Sequence, residues 1–302
     1  MVKVLITGGC GHIGSYLIRK LPSKYKITVV DNLLTQRYCS LFDLDRGIKF
    51  IEKDIDGLTE DDVVGIDVVI HLAAITNAEG SFKNKEEVEN VNIVKTEKFI
   101  GLCKKVGISY FIFPSSTSVY GASVDVVYED DDSVVNPQSP YAETKIGIEN
   151  LLKNQSDINY LILRFGTIFG ESIGMRFHTA INKFCYEVSL GKPLTIWKQN
   201  YEQVRPYLGL NDAVRSIMHF LDNLQYFNQT YNVISGNFKL SDVVKSIEKV
   251  SDKVELNMVD TPLLNQFTYD VSDDKVRKTG FEPKDKLEVS VKETLKLLDN
   301  LK

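Results

Sequence analysis

Residues 3–14 read Lys3-Val4-Leu5-Ile6-Thr7-Gly8-Gly9-Cys10-Gly11-His12-Ile13-Gly14. The aliphatic run predicts a short buried strand, and the spaced glycines predict a tight turn that leads directly into a helix. Glycines let the backbone approach a ligand closely, and the N–H groups at the start of a helix favour phosphate. The stretch therefore predicts a site for the pyrophosphate of a dinucleotide. The positions expected to contact it are Gly8, Gly11, His12, Ile13 and Gly14.

An acidic residue ends the next predicted strand. The run Ile27-Thr28-Val29-Val30 reads as β-structure and is followed by Asp31. A carboxylate at this position can accept hydrogen bonds from both hydroxyls of an adenosine ribose and would repel a 2′-phosphate. The sequence thus favours NAD over NADP, the alternative being that Asp31 caps a helix.

Composition narrows the class of protein. The 302 residues carry 36 basic and 41 acidic side chains, a net charge of −5, without a run of lysines or arginines. This argues against a nucleic-acid partner. No apolar stretch approaches the roughly 20 residues that cross a bilayer, and a strand stands where a signal sequence would begin. The four cysteines show no metal-like spacing. We expect a cytoplasmic protein with reduced thiols, no metal and no membrane partner.

Strands and helices alternate through the first half of the chain. This alternation predicts an α/β fold, a Rossmann-type doubly wound parallel sheet with a smaller mixed C-terminal substrate-binding domain. Residues 1–165 are expected to form the NAD-binding domain, with part of 207–235 returning to it, and 166–302 mainly the substrate-binding domain. The acidic run 129–132 is expected to be a solvated loop. Beyond the first two, the predicted strands are 48–51, 67–74, 110–113 and 160–163, and the predicted helices are 86–106 and 139–153.

Two segments carry residues suited to hydride-transfer chemistry. The strand ending at Phe113 runs into a hydroxyl-rich loop that contains Ser116, at the sheet edge where such folds bind ligands. Tyr141 and Lys145 follow on a predicted helix, one turn apart on the same face. A nearby ammonium favours the phenolate, so we expect the pKa of Tyr141 to be lowered towards neutrality for general-base work. Ser116 would hold the substrate oxygen whose proton Tyr141 removes.

In combination these motifs resemble the extended short-chain dehydrogenase/reductases of the nucleotide-sugar epimerase/dehydratase family, UDP-glucose 4-epimerase-like, over essentially the whole chain. The matching landmarks are residues 7–14, Asp31, Asp54 with Ile55, residues 71–74, Asn92 with Thr96, Ser115 with Ser116, residues 119–121, Tyr141 with Lys145, and residues 163–165. The resemblance implies that Ser116, Tyr141 and Lys145 are catalytic and that NAD is tightly held. It further implies a homodimer that pairs the helices containing residues 86–106 and 141–153. The cofactor contacts that it implies beyond the glycine turn are Asp31, Asn32, Asp54, Ile55, Leu72, Ala73, Ala74, Tyr141 and Lys145.

Two polar landmarks allow structural interpretations. His71 is expected to be buried beneath the turn that follows its strand rather than to act in catalysis. Asn92 either orders its helix against that strand end or lies beside the cofactor. Both readings stay open from the sequence.

The loop after Ser116 helps to choose among the reactions of this family. The resembling dehydratases carry an Asp-Glu pair there, because elimination of water needs an additional acid and base. This chain has Thr117 and Ser118, which do not titrate usefully. We therefore predict an NAD-dependent nucleotide-sugar 4-epimerase. The alternatives are a nucleotide-sugar oxidoreductase or dehydratase of the same family, and a non-catalytic NAD-binding protein.

The substrate side is predicted from single residues. Arg205, in a segment that resembles a family motif, would pair with the nucleotide-sugar diphosphate, and Arg176 is a second anion-binding candidate. Thr117 and Thr167 are the other substrate-binding candidates, Thr167 standing where the resembling UDP-galactose epimerases carry an Asn. Residues 260–266 stand where those epimerases have a second phosphate-binding arginine, and supply none. Trp197 and Tyr201 either stack on a base or belong to the core.

Overall fold

The computed structural model describes residues 1–78, 80–121, 123, 125–260 and 269–301, without the side chain of residue 300. Its strands are β1 Val2–Thr7, β2 Tyr25–Asp31, β3 Lys49–Glu52, β4 Val68–His71, β5 Tyr110–Ser116, β6 Asn159–Phe165, β7 Thr167–Phe169, β8 Leu194–Trp197, β9 Val204–Gly209, β10 Gln229–Val233, β11 Gly236–Lys239 and β12 Leu256–Val259. Its helices are α1 His12–Lys20, α2 Glu60–Val63, α3 Lys85–Glu89, α4 Thr96–Lys105, α5 Pro140–Lys153, α6 Ala180–Ser189, α7 Leu210–Leu221, α8 Leu240–Glu248, α9 Asp274–Arg277 and α10 Leu287–Leu297, with a π-helical turn Asn90–Lys95 joining α3 to α4.

A seven-stranded sheet in the order β10-β6-β5-β4-β1-β2-β3 forms the centre of the molecule, and all its pairs are parallel. Both faces are covered. One apolar cluster packs α1 and α7 against the sheet, and another packs α4 and α5 against the other face. The strand order reverses between β1 and β4, which is where doubly wound sheets bind ligands. The predicted α/β doubly wound class is confirmed.

Smaller sheets follow from the C-terminal half. One is mixed, in the order β11-β9-β7, and the other pairs β8 with β12 in parallel. The chain leaves the large sheet at Gly166, between β6 and β7, where a Cβ would lie 3.0 Å from the backbone of Tyr207. Gly166 therefore allows the small mixed sheet to begin directly after the carboxyl end of β6.

Local predictions need three adjustments. The strand predicted over 67–74 ends at His71, because only Leu72 continues the hydrogen bonding, to Thr7, before the chain turns. The helix predicted over 86–106 contains the π-helical turn. The prediction of a solvated loop over residues 129–132 is wrong for its first residue. Glu129 is only 4% exposed, and both of its carboxylate oxygens accept hydrogen bonds from Asn232. No helix among the described residues has the length and apolar character needed to cross a membrane.

Candidate active site

The glycine-rich turn brings three pieces of backbone into close contact. Gly8 has φ +67°, and a Cβ there would lie 2.6 Å from the amide nitrogen of Ala73 in the loop after β4. A Cβ at Gly14 would lie 2.5 Å from the carbonyl oxygen of Gly8. Only glycine fits at these positions, so the end of β1, the start of α1 and the β4 loop form one narrow groove floor.

The N-terminus of α1 carries a partial positive charge that no acidic side chain of its first turn neutralises. Its N-cap residue, Gly11, makes no side-chain capping bond, and the first turn contains no acidic residue. The first N–H groups of α1, those of His12 and Ile13 among them, and the helix dipole are thus available for an anionic ligand. Burial lowers the pKa of His12 to about 3, so its ring is neutral near pH 7.

The carboxylates predicted to contact the adenosine half are held in defined positions. Asp31 accepts hydrogen bonds from the amides of Cys10 and Leu33, each at 2.9 Å. Asp54 Oδ2 accepts from Asn32 Nδ2 at 3.1 Å and from Lys95 Nζ at 2.8 Å, and its Oδ1 from the Ile55 amide. Burial opposes ionisation, but these bonds and the Lys95 charge hold the pKa of Asp54 below its usual range. Sequence reasoning missed Lys95, which shares no local motif with Asp54.

Two buried polar residues position the loop 72–76. His71 Nδ1 lies 2.8 Å from Thr7 Oγ1 and its Nε2 lies 3.1 Å from Thr96 Oγ1, while burial lowers its pKa to about 3. The ring is therefore a neutral brace between β1 and α4. Asn92 bonds the amide and the carbonyl of Ile75 at 2.8 and 2.9 Å and also bonds Thr144. In the described structure Asn92 thus ties the β4 loop to α5.

Ser116, Tyr141 and Lys145 meet at the carboxyl edge of the large sheet. Ser116 ends β5, and its hydroxyl accepts a hydrogen bond from the Ser118 amide at 3.1 Å and lies close enough to Tyr141 to lower the pKa of the phenol. Ser139 caps α5 and Pro140 begins it, so the tyrosine enters the helix at a fixed angle. Lys145 Nζ donates to the Pro114 carbonyl at 2.9 Å and lies 5.8 Å from the centre of the Tyr141 ring. The structure brings the three predicted catalytic side chains together.

The electrostatics of the pair differ from the sequence expectation. Burial raises the pKa of Tyr141, and the opposing influences are the charge of Arg176 and the Ser116 hydrogen bond. The expected lowering is wrong for the described chain, because burial outweighs the influences that lower the pKa of Tyr141. The Lys145 ammonium donates to the Pro114 carbonyl instead. Burial lowers the pKa of Lys145 to about 8, which the Glu149 carboxylate opposes and Arg176 reinforces.

A buried polar network lies behind the site. Ser115 Oγ donates to Glu149 Oε1 at 2.5 Å, and Arg164 binds the same carboxylate through Nε and Nη2, the shortest contact being 2.7 Å. Arg164 also donates to the Tyr120 hydroxyl, which in turn bonds Asn232. The network fixes the end of β5 against α5 and β6. Sequence reasoning listed Arg164 only as a landmark and overlooked Glu149, whose spacing of four residues from Lys145 was the available signal.

The predicted substrate residues lie on different elements. Thr117 is buried immediately after β5, and Thr167 begins β7. Arg205 lies on β9, with its guanidinium 5.4 Å from the centre of the Tyr269 ring. Arg176 instead reaches the β4 loop, where its Nη1 donates to Thr76 Oγ1, and it acts electrostatically on Tyr141. Arg176 and Tyr141 are thus neighbours, whereas Arg205 belongs to the small mixed sheet.

The remaining residues that the sequence singled out lie outside this site or outside the described residues. Tyr201 packs against the C-terminal apolar cluster, and Trp197 ends β8 opposite Val259. Residues 261–268 lie outside the described residues, and with them most of the stretch 260–266. Among the described residues, no group of three or more potential ligands could hold a metal ion.

The fold and the site define a class of protein. Residues 4–233 match the profile of the NAD dependent epimerase/dehydratase family. Because the match covers most of the chain, the protein belongs to this family, and its cofactor is NAD. The glycine turn, the uncapped start of α1 and the two aspartates fit that cofactor.

Individual relatives show the range of reactions within the class. The chain is 29% identical to the uncharacterized UDP-glucose epimerase YtcB of Bacillus subtilis, over 83% of this chain and 82% of that protein. It is 30% identical to the trifunctional UDP-glucose 4,6-dehydratase, 3,5-epimerase and reductase RHM2 of Arabidopsis thaliana, over 97% of this chain but only 46% of that longer protein. The crystal structure of UDP-glucuronic acid 4-epimerase from Bacillus cereus with UDP-glucuronic acid and NAD is similar, with a TM-score of 0.91 at 26% identity and full coverage of both chains.

Proposed function

We propose that this protein is an NAD-dependent nucleotide-sugar 4-epimerase that acts through a transient 4-keto sugar. The observation that carries the proposal is the set of charges around the reacting groups. Among the described residues, the charged groups that shift the pKa of Tyr141 or Lys145 are Arg176 and Glu149. Glu149 is fully buried and bound by Arg164 and Ser115, so it is committed to the fold. A second acid–base pair, as elimination of water requires, is not found beside Tyr141 in this part of the chain.

The three catalytic side chains have separate tasks in epimerisation. Ser116 holds the C4 hydroxyl of the sugar, and Tyr141 takes its proton when the keto sugar forms and returns it when the keto group is reduced. NAD, when bound at the glycine turn, would supply the hydride acceptor and donor for C4. Lys145, with a pKa close to neutrality, supplies a positive charge and a hydrogen-bond donor at the cofactor ribose.

The substrate is proposed to be a UDP-glucose or UDP-galactose type of nucleotide sugar or a related one. Arg205 supports this proposal because a guanidinium suits a diphosphate, and β9 places it on the small sheet that continues from β6. Thr117 and Thr167 supply hydroxyl groups near the carboxyl ends of β5 and β6. These groups would orient the sugar while it turns over in the site.

The experiment is incubation of the purified protein with UDP-, GDP-, CDP- and dTDP-sugars in D₂O, without added cofactor. An epimerase yields the C4 epimer of one sugar with its original C4 hydrogen, because the hydride returns from bound NADH. A dehydratase yields a 4-keto-6-deoxy sugar that carries solvent deuterium at C5. A net oxidoreductase forms no product until NAD or NADH is added. Either of the last two results would refute the 4-epimerase proposal.

A homodimer remains a prediction. The surface formed by α3, the π-helical turn, α4 and α5 includes Val94, which is 58% exposed. Pairing of this surface with that of a second copy would cover the Val94 side chain. Light scattering during gel filtration tests it, and a mass of one chain at micromolar concentration would refute it. The cytoplasmic location likewise remains a prediction.

A further inference from the structure

A segment between β7 and α6 crosses the glycine-rich turn. This strap, residues 170–178, is attached at two points of α1. His12 Nε2 donates to the Gly170 carbonyl at 3.0 Å, and the Gly174 amide donates to Ser15 Oγ at 3.0 Å. A Cβ at Gly174 would lie 2.6 Å from the carbonyl oxygens of Cys10 and Gly11. The strap therefore rests directly on the turn that faces the dinucleotide.

The strap ends in an arginine that spans the groove. Asn182 holds the Arg176 carbonyl at 3.2 Å on the α6 side, and the guanidinium reaches Thr76 in the loop after β4. Because the strap is bonded to α1 and the Arg176 side chain is bonded to Thr76 in the loop after β4, Arg176 links two of the elements that form the groove floor. A dinucleotide bound at this switch point, from Asp31 towards Tyr141, would lie beside this side chain.

Arg176 is a cation without an anionic partner in the described structure. Its Nε is buried and makes no hydrogen bond. No carboxylate among the described residues lies within ion-pair distance, and the groups beside it include Arg37, His12 and His178. Burial and the charge of Arg37 lower its pKa to about 10, while the Tyr141 phenol opposes this lowering. Arg176 is partly buried, and withdrawing an unpaired charge from water is costly, so the arrangement favours an anion from a ligand.

We propose that Arg176 binds the pyrophosphate of NAD and that the strap keeps the cofactor bound between turnovers. The strap rests on the glycine turn and the uncapped start of α1, which together are the phosphate end of the cofactor site. This location favours the diphosphate of the dinucleotide over that of the substrate, which is assigned to Arg205. The inference rests on the NAD site of the proposed function but not on which sugar reacts.

The test compares Arg176→Met with Arg205→Met and with Lys183→Met, a change at a half-exposed side chain of α6. The NAD that remains bound after gel filtration is quantified for each holoenzyme by mass spectrometry. Calorimetry on NAD-depleted protein then measures the binding of ADP-ribose, which contains the pyrophosphate, and of adenosine, which lacks it. Circular dichroism confirms that each variant is folded.

Arg176→Met is expected to lose NAD and to bind ADP-ribose about ten- to one-hundredfold more weakly, the range for a charge-assisted hydrogen bond. Its affinity for adenosine should not change, and the other two variants should retain NAD. An unchanged ADP-ribose affinity would overturn the proposal, as would an equal loss for adenosine. Because every readout is binding, failure to epimerise any sugar refutes the proposed function and leaves this result interpretable.

Two further variants protect the test against a general defect at Arg176. Thr76→Val removes the hydroxyl that receives the guanidinium, and Gly174→Ala displaces the strap from the carbonyl oxygens beneath it. Both retain Arg176, and both should weaken ADP-ribose binding while adenosine binding stays unchanged. If neither variant affects ADP-ribose, the strap does not hold the cofactor.

Discussion

Arg164 is buried and Arg176 is partly buried, and the two arginines lie in different surroundings. Arg164, on β6 inside the large sheet, is 1% exposed and is bound to both oxygens of Glu149. Burial opposes its charge, yet Glu149 and Tyr120 raise its pKa above the ordinary value. Arg176, in the strap, has the Thr76 hydroxyl as its side-chain partner and a lowered pKa. The first arginine is neutralised by the chain and serves the fold, whereas the second is available to a ligand.

The largest expected effect is at the tyrosine that lies near Arg176. Tyr141→Phe keeps the ring but removes the proton acceptor, so turnover should fall about 10²- to 10⁴-fold. NAD should remain bound, because the phenol is not part of the groove floor. Arg176→Met should behave in the opposite way: its turnover should be low as purified and largely restored by saturating NAD.

The measurement is the rate of epimer formation by each variant with and without added NAD. Full activity of Tyr141→Phe would contradict the catalytic assignment. A defect in Arg176→Met that no concentration of NAD relieves would show that this arginine acts in the chemical step, and the contrast between binding and catalysis would then be lost.

Stability separates the two arginines next. Glu149→Leu leaves Arg164 buried without its partner, which should lower the free energy of unfolding by about 3–5 kcal/mol. Arg176→Met removes a partly buried charge without an anionic partner among the described residues, so the ligand-free protein should be equally or more stable. Urea unfolding of both NAD-depleted variants at neutral pH, with Lys183→Met as the control, checks this. Equal losses in the two variants would mean that Arg176 is also satisfied within the fold.

The features that the sequence could predict depend on residues that are close together in the chain. The strand, the glycine turn and the start of α1 are contiguous within residues 2–20, and local patterns identified them. The proximity of Ser116, Tyr141 and Lys145 could also be predicted, because helical spacing places two of them on one face and the end of a strand places the third. Each of these predictions depends on neighbours within one or two elements.

Contacts over long sequence separations were not predictable in the same way. Thr76 and Arg176 are 100 residues apart, and Glu129 and Asn232 are 103 apart. A run of acidic residues reads as solvated until the tertiary fold buries one of them. The direction of the Tyr141 pKa shift also depended on the fold, since burial and the position of the Lys145 ammonium are set by packing around β5 and α5.

A smaller effect concerns the response to acid. Burial lowers the pKa of His71 to about 3, whereas a histidine in the unfolded chain titrates near 6.5. Between these values the unfolded state binds more protons, so stability falls as the pH decreases below 6.5. His71→Asn should reduce this slope by close to one proton, about 1.4 kcal/mol per pH unit. The half-buried His219 should contribute less, because its pKa is lowered by a smaller loss of hydration.

Unfolding by urea at several pH values from 4.5 to 6.5 measures these slopes. The difference between His71→Asn and the wild type isolates the histidine from the carboxylates that also titrate in this range. A His71→Asn slope equal to that of the wild type would mean that the His71 ring is protonated in the fold. The interpretation of the ring as a neutral brace between Thr7 and Thr96 would then be wrong.

The smallest expected effect is a change in the alkylation rate of a cysteine that contacts the strap. Cys10 is 1% exposed, and burial together with the Asp31 charge raises its pKa to about 12, so it should resist iodoacetamide at pH 8.

Cys39 is half-buried and its thiol lies 3.4 Å from the Ile173 carbonyl in the strap. Gly174→Ala should speed alkylation of Cys39 a few-fold, since local opening that costs about 1 kcal/mol less raises the open fraction about fivefold. Added NAD should slow the reaction of Cys39 in the wild type, as followed by peptide mass spectrometry. A Cys39 rate that responds neither to NAD nor to Gly174→Ala would show that the strap does not move with the cofactor, and the buried guanidinium of Arg176 would then need a different ligand.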